Sequence, residues 1–264
     1  MFKVNNEDMR LLIPFLNENN SHYPLLKSII ANRKKGIAYV DSLVNPSITG
    51  ILSNDGWFYL LGESIDDNFN TKLKEVLLEK VIVDKVSIFW FGISEEWKKK
   101  FVDISSVTIR DYDRIQYKFI DSNYTLKSTN NHNYYDYRVE RITLDNIDEV
   151  FKYNNELHTF WENKELFIGS GFGYIILDDN QIIGHSISAS IEDKEVEIDI
   201  QTDESYRGKG IGEHLASCFI NECLKRSMVP KWDCSAENVP SNKLAVRLGF
   251  QKIKKYPLSI ISEK

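Results

Sequence analysis

Two runs of this chain carry residue types that do chemistry. The first is Arg207-Gly208-Lys209-Gly210-Ile211-Gly212, with glycine at three alternate positions. Such a run leaves one side of the backbone free of side chains, so its N–H groups can converge on an anion at the start of a helix. Arg207 and Lys209 add positive charge suited to phosphate. The second run is Glu197-Ile198-Asp199-Ile200-Gln201-Thr202. Read as a strand, it puts Glu197, Asp199 and Gln201 on one face and Val196, Ile198 and Ile200 on the other. A carboxylate held partly out of water can serve as a general base or anchor a cation.

The elements that must position these groups are a strand over 195–201, a short polar turn, the glycine loop and a long helix. Ile211, Leu215, Cys218, Phe219 and Cys223 recur at helical spacing along that helix. The loop is not a Walker A loop, because no Gly-Lys-Ser/Thr follows a four-residue spacer. It is not a dinucleotide fingerprint, because Glu213 stands where the third glycine belongs. Further on, the segment Asp233–Asn242 leads into a helix over 243–248 and the exit Leu248-Gly249-Phe250. Asn238 and Ser241 suit a helix N-cap, Pro240 a first turn and Gly249 a helix stop.

The pattern Arg-x-x-Gly-x-Gly between strand and helix, followed by Asn238, Ser241 and Leu248-Gly249-Phe250, resembles the GNAT superfamily of N-acetyltransferases. The resemblance implies an α/β (α+β) fold with a mixed, mostly antiparallel sheet flanked by helices. It implies acetyl-CoA as cosubstrate, its pyrophosphate held by the amides of Arg207, Gly208, Lys209, Gly210, Ile211 and Gly212. It implies contacts to the pantetheine arm and thioester from the main chain of Ile200, Gln201 and Thr202, and from Asn238 and Ser241. The runs Glu197–Thr202, Tyr206–Gly210 and Pro230–Asp233 are similar to a subfamily that includes the zwittermicin A resistance protein, whose substrate is not carried over.

Acetyl transfer to an amine sets the energetic problem. A primary amine with a reference pKa near ~10.4 lies more than ~3 units from its reactive form at pH 7, roughly 4.6 kcal/mol. A leaving thiol of pKa ~8.5 needs only about 1.5 units of help. A base therefore matters more than an acid. Glu197 is the first expectation for that base and Asp199 the second. Many superfamily members carry a tyrosine acid four residues before the glycine of Leu-Gly-Phe; here that residue is Ala245. Ser241, Cys234 or water is left to protonate the thiolate. His158 and His185 stand isolated in their local runs and read as structural or exposed. Trp161, Glu162 and Trp232 are expected near the acceptor, with core packing the favoured role for the tryptophans.

Composition excludes several classes. A net charge of −6 argues against a nucleic-acid partner, and no run approaches the length of a membrane-spanning helix. The three cysteines (Cys218, Cys223 and Cys234) form neither a metal-ligand pair nor an even disulfide set. The expectation is a cytosolic protein without metal, acting on a small-molecule amine, with a homodimer as the expected assembly. Two competing readings are a catalytically silent CoA-binding regulator and a protein N-acetyltransferase.

At 264 residues the chain is long for one such domain. The expected division is an N-terminal lobe over 1–125 and a catalytic lobe over 136–264, joined by the polar stretch 122–135. GIAYVDSLVNPSITGIL in the first half echoes GYIILDDNQIIGHSIS in the second, and both halves then run strand, helix, strand, helix, strand. The first lobe lacks the Arg-x-x-Gly-x-Gly loop and reads as a GNAT-like relic without cofactor.

Overall fold

The computed structural model describes residues 1–264 except 18–19, 21–22, 63–66, 126–132 and 135. The first half runs β1 (Phe2–Val4), a 3-10 helix over Asn6–Phe15, α1 (Tyr23–Ile30), β2 (Gly36–Val40), β3 (Ile48–Ser53), β4 (Trp57–Gly62), α2 (Asp67–Ile82), β5 (Ile88–Phe91), α3 (Glu95–Val102) and β6 (Val107–Phe119). The second half runs β7 (Asn133–Tyr134), β8 (Tyr137–Arg141), α4 (Ile147–Tyr153), α5 (Leu157–Phe160), α6 (Lys164–Ser170), β9 (Gly173–Asp178), β10 (Gln181–Glu192), β11 (Glu195–Thr202), α7 (Ile211–Lys225), β12 (Val229–Ser235), α8 (Val239–Arg247) and β13 (Phe250–Glu263). The polar stretch expected to join two lobes lies largely outside the described residues.

Two compact units result. One comprises Met1–Arg114 with Lys255–Lys264, the other Ile115–Lys254. The division differs from the expected one over 1–125 and 136–264. It falls inside two long strands, β6 and β13, each of which gives part of its length to each unit. A boundary inside a regular strand leaves no Gly/Pro-rich or polar signature in the sequence, which is why composition pointed elsewhere.

In the first unit β1, β2, β3 and β4 pair antiparallel in sequence order. β4 and β5 then pair in parallel, Trp57 with Phe89 and Phe58 with Trp90. The end of β13 pairs antiparallel with β5, from Leu258↔Phe91 to Ile261↔Ile88. α2 and α3 bury Phe69, Leu73, Leu77, Trp97 and Phe101 against one face. The 3-10 helix and α1 bury Met9, Leu12, Leu26 and Ile29 against the other. The run Asn6–Phe15 is a 3-10 helix and does not take the α form. Pro14 lacks the N–H an α-helix needs and crowds the carbonyl four residues back.

In the second unit the strands run β13, β6, β12, β11, β10, β9, β8 and β7. β8 through β11 are antiparallel, and β11 with β12 is parallel. Each unit thus has antiparallel strands followed by one parallel pair, with α2 or α7 as the crossover. The echo read from the sequence is a repeat of topology. α7 and α8 pack Ala216, Phe219, Ile220, Ala245 and Leu248 on Val196 and Ile198 of β11. α4, α5 and α6 pack Val150, Leu157 and Phe167 on Ile175, Leu177 and Ile187 of the opposite face. The second unit is therefore a sheet between two helical layers, with β11 at its centre.

Candidate functional site

The glycine loop joins β11 to α7. Gly208 has φ 78° and Gly210 φ 79°, the left-handed region that side-chain-bearing residues rarely adopt. A Cβ at Gly208 would meet nothing within 4 Å, so the backbone angle, not space, requires glycine there. Gly210 is the N-cap of α7 and supplies no side-chain cap. The first helical bond runs from His214 N–H to Gly210 O at 3.1 Å. The N–H groups of 211–213 then have no intrahelical acceptor and lie at the positive end of the helix dipole. A Cβ at Gly212 would come only to 3.6 Å from Leu244 Cδ2 and Thr202 Oγ1, ordinary contact, so the protein's own packing does not demand glycine there.

Both loop cations are held. Arg207 Nε donates to Thr202 O at 3.2 Å. Lys209 Nζ donates to Tyr137 OH at 3.3 Å and lies 4.6 Å from the centroid of the Tyr206 ring. Tyr206 OH donates to Asp178 Oδ2 at 2.8 Å, fixing that ring. Tyr137, Tyr206 and Asp178 were not anticipated from sequence, because they converge from three separate segments.

β11 and β12 part company beside the loop. Their parallel register covers only Glu195↔Val229, Val196↔Pro230 and Glu197↔Lys231. β11 continues to pair with β10 as far as Thr202↔Gly184. On its β12 side, the main chain beyond Glu197 has left the ladder, which is where contacts from Ile200, Gln201 and Thr202 were expected. Thr202 O is already engaged by Arg207, so of that trio Ile200 and Gln201 offer the more open main chain.

Across the gap, the end of β12 and the start of α8 form a closed polar network. Asn238 Oδ1 caps α8 by accepting from Ser241 N–H at 3.1 Å. Trp232 Nε1 donates to Ser241 Oγ at 3.1 Å. Asn242 Nδ2 donates to Ser235 O at 2.9 Å and Asn238 O at 2.7 Å, and its Oδ1 accepts from Tyr117 OH at 2.5 Å. Burial holds the Tyr117 hydroxyl above its ordinary pKa, with Cys234 and Asp233 adding to it. Trp232 is buried beside Phe250 and is a core residue, not an acceptor contact. Ala245 and Cys234 are buried as well.

On the opposite face of β11 the alternation holds. Glu197 and Asp199 are half-buried and Gln201 is exposed. His185 is not isolated. It is fully buried, and its Nε2 lies 2.9 Å from Asp199 Oδ2. Asn154 Nδ2 approaches the same nitrogen at 3.2 Å, and the Tyr153 ring meets the imidazole edge-on at 5.9 Å. Tyr153 OH donates to Asp203 Oδ1 at 2.5 Å, and burial, followed by Asp203, pushes its pKa far up. Glu197 receives Ser190 Oγ at 3.4 Å. Trp161 Nε1 donates to Ser188 O at 2.7 Å, His158 packs on Phe151, and Glu162 is exposed.

The pairing of His185 with Asp199 was not read from the sequence because β10 is irregular. Its register shifts between Ile182 and Gly184 against β9, and between Ser188 and Ser190 against β11. Strict alternation groups His185 with Ile183, yet Ile183 packs against α7 residues on the other face. Among the described residues no group of three or more His, Cys, Asp or Glu is arranged to hold a metal ion. Among them, too, no helix is long and apolar enough to cross a membrane.

A profile of the GNAT acetyltransferase family matches residues 14–259. The chain belongs to the GNAT acetyltransferase family. It is similar to an uncharacterized N-acetyltransferase, YdfB, of Bacillus subtilis, at 25% identity over 88% of this chain and 87% of that one. Among solved structures it resembles a GCN5-related N-acetyltransferase-like protein from Streptococcus suis, with 21% identity and a TM-score of 0.74 over 98% of this chain and 99% of that one. A GCN5-related N-acetyltransferase from Sphaerobacter thermophilus gives 11% identity and a TM-score of 0.66, over 99% and 95% of the two chains. The family membership covers both halves, so the first unit is part of the family's architecture and not an appended domain. The protein is an acetyltransferase enzyme of the GNAT fold.

Proposed function

We propose that this acetyltransferase moves an acetyl group from acetyl-CoA to a primary amine of a small molecule. The observation that carries the reading is the meeting, at one end of β11, of three features. These are an uncapped helix start, a strand that has left its neighbour, and a carboxylate-bearing face.

The residues present fit the cosubstrate. The amides at the start of α7 and the main chain of the loop suit its pyrophosphate. Arg207 and Lys209 add charge, and the bare Gly212 leaves room at the helix start. Ile200 and Gln201 offer main-chain groups to the pantetheine, and Asn238 and Ser241 stand across the gap. Acetyl-CoA supplies an activated acyl carbon. The chain's own tasks are to hold the amine and to take its proton, which Glu197 and Asp199 are suited to do. The same pair of carboxylates favours a cationic acceptor over an anionic one. The resemblance of 197–202, 206–210 and 230–233 to the zwittermicin A resistance subfamily supports a small-molecule acceptor, without naming it.

One observation favours a second reading, a CoA-binding protein that does not turn over. The position where many relatives carry a tyrosine acid is Ala245, fully buried and without a hydroxyl. A panel of small amines and lysine peptides with acetyl-CoA, read by thiol release, decides between them. Release with some small amine is expected. CoA binding by calorimetry with no release from any acceptor would establish the silent reading, and release with peptides alone would move the acceptor class to proteins.

A further inference from the structure

We infer that His185 and Asp199 work as a pair, in which His185 is a positioning residue that holds Asp199 as the proton acceptor for the incoming amine. The inference rests on the acetyl-transfer reading above and reverses the order expected from sequence, where Glu197 came first.

The geometry is specific. His185 is buried completely, and its Nε2 meets Asp199 Oδ2 at 2.9 Å, while the Asp199 side chain keeps 27% of its surface exposed. The carboxylate is thus held from the neighbouring strand β10 while remaining partly open to solvent. His185 Nδ1 is buried and has no hydrogen-bond partner among the described residues. A proton on Nδ1 would bury a donor with nothing to accept it, whereas a lone pair there is the cheaper orphan. The tautomer with the proton on Nε2 therefore serves the site, and it donates to Asp199. Asn154 Nδ2 competes for the same nitrogen, since Glu156 N–H fixes that amide by donating to its Oδ1 at 3.0 Å. The bond to a carboxylate is the stronger of the two. The Tyr153 ring, anchored through Asp203, packs against the imidazole edge and removes its rotational freedom.

In the step assigned to the pair, the ammonium group first gives a proton to Asp199, which passes it on to solvent, and the freed nitrogen lone pair then forms a bond to the acetyl carbon. The carbon–sulfur bond breaks with its electron pair on sulfur, and the second proton shed by the nitrogen passes through water to that thiolate. His185 neither gains nor loses a proton. It keeps the accepting oxygen turned toward the acceptor.

The test compares His185→Phe and His185→Gln with the wild type, together with nitrogen-15 imidazole spectra of the native protein. The glutamine amide restores a donor near the place of Nε2, whereas phenylalanine fills the space without one. His185→Phe is expected to lose roughly 10- to 100-fold in turnover with amine, the worth of one hydrogen bond to a charged group. Its CoA affinity should stay unchanged. His185→Gln should recover most of the loss. The signal that disappears in His185→Gln should show the Nε2–H tautomer in the wild type. Equal turnover for the wild type and His185→Phe, or a glutamine variant no better than phenylalanine, overturns the pairing while leaving acetyl transfer intact. An Nδ1–H tautomer overturns it even if His185→Phe fails to fold. A wild type that releases thiol with no acceptor sinks the parent reading and this one with it.

Discussion

The helix-start assignment is tested most directly by Gly210→Asp beside Gly210→Asn. Gly210 sits at φ 79° as the N-cap of α7. Asparagine and aspartate are the side chains that best tolerate this backbone region, and both are good N-caps. Strain of about 1–2 kcal/mol from a left-handed residue is offset by about 1 kcal/mol of capping, so both variants should fold with melting points near the wild type. The two side chains have nearly the same shape and differ by one negative charge. If a pyrophosphate lies against the amides of 211–213, that charge faces two phosphate charges at close range. A pair of unit charges 4 Å apart repel by about 1 kcal/mol in bulk water and by about 4 kcal/mol at the effective dielectric of a protein surface. Two such pairs give a lower bound of about 2 kcal/mol, roughly 30-fold in Kd. Titration calorimetry with CoA at low salt should find the aspartate variant at least that much weaker than the asparagine variant. The gap should narrow as salt rises, because the Debye length shrinks to about 8 Å near physiological ionic strength. Equal affinities at low salt would refute the reasoning: the pyrophosphate would then not be bound at this helix start.

Three further outcomes follow from particular contacts. Asp199→Asn should cut turnover by about 100-fold or more, whereas Glu197→Gln should act mainly on the KM for amine. Steady-state kinetics with the best acceptor check this, and the reverse pattern would exchange their roles. The Asp199→Asn deficit should also shrink at high pH, where the amine sheds its proton unaided. Ser241→Ala should leave the buried Trp232 Nε1–H without an acceptor and cost about 1–3 kcal/mol in urea unfolding, with turnover little changed. Turnover lost at full stability would instead put the Ser241 hydroxyl in the chemistry. Finally, Tyr153 and Tyr174 are both raised well above the ordinary tyrosine pKa, first by burial and then by Asp203 and Glu222 respectively. Below about pH 10 their hydroxyls keep the proton in folded and unfolded chains alike, so this contribution is fully present. Above it only the unfolded chain ionises, and stability falls as pH climbs. A urea midpoint that drops between pH 9 and pH 11, less steeply in Tyr153→Phe, is the expected result. An unchanged midpoint would show that these hydroxyls are not held.

Much of the site was readable because its parts are close in sequence. A strand, a turn, the loop and the N-terminus of α7 occupy one unbroken stretch, and the loop's backbone angles demand glycine locally. The N-cap role of Asn238 is likewise a local matter of a short polar side chain three residues before an amide. The face on which Glu197 and Asp199 lie followed from simple alternation, because β11 is regular. The pairing of His185 with Asp199 was not legible because irregularities in β10 break that alternation and put Ile183 on the α7 face. Trp232 is in the core, the role favoured for it, and its indole donates to Ser241, a contact between strand and helix that spacing cannot reveal.

The amino-acid order alone determined the family, the glycine loop, the apolar face of α7 and the acidic face of β11. Each of these depends on neighbours within a turn of helix or a few residues of strand. Only the tertiary structure decided where β11 leaves β12, that β6 and β13 each serve two units, and that His185 stands behind Asp199. Those outcomes depend on which distant segments share a sheet and in what register. A one-residue shift of register changes the face of every side chain beyond it, and no local pattern carries that information.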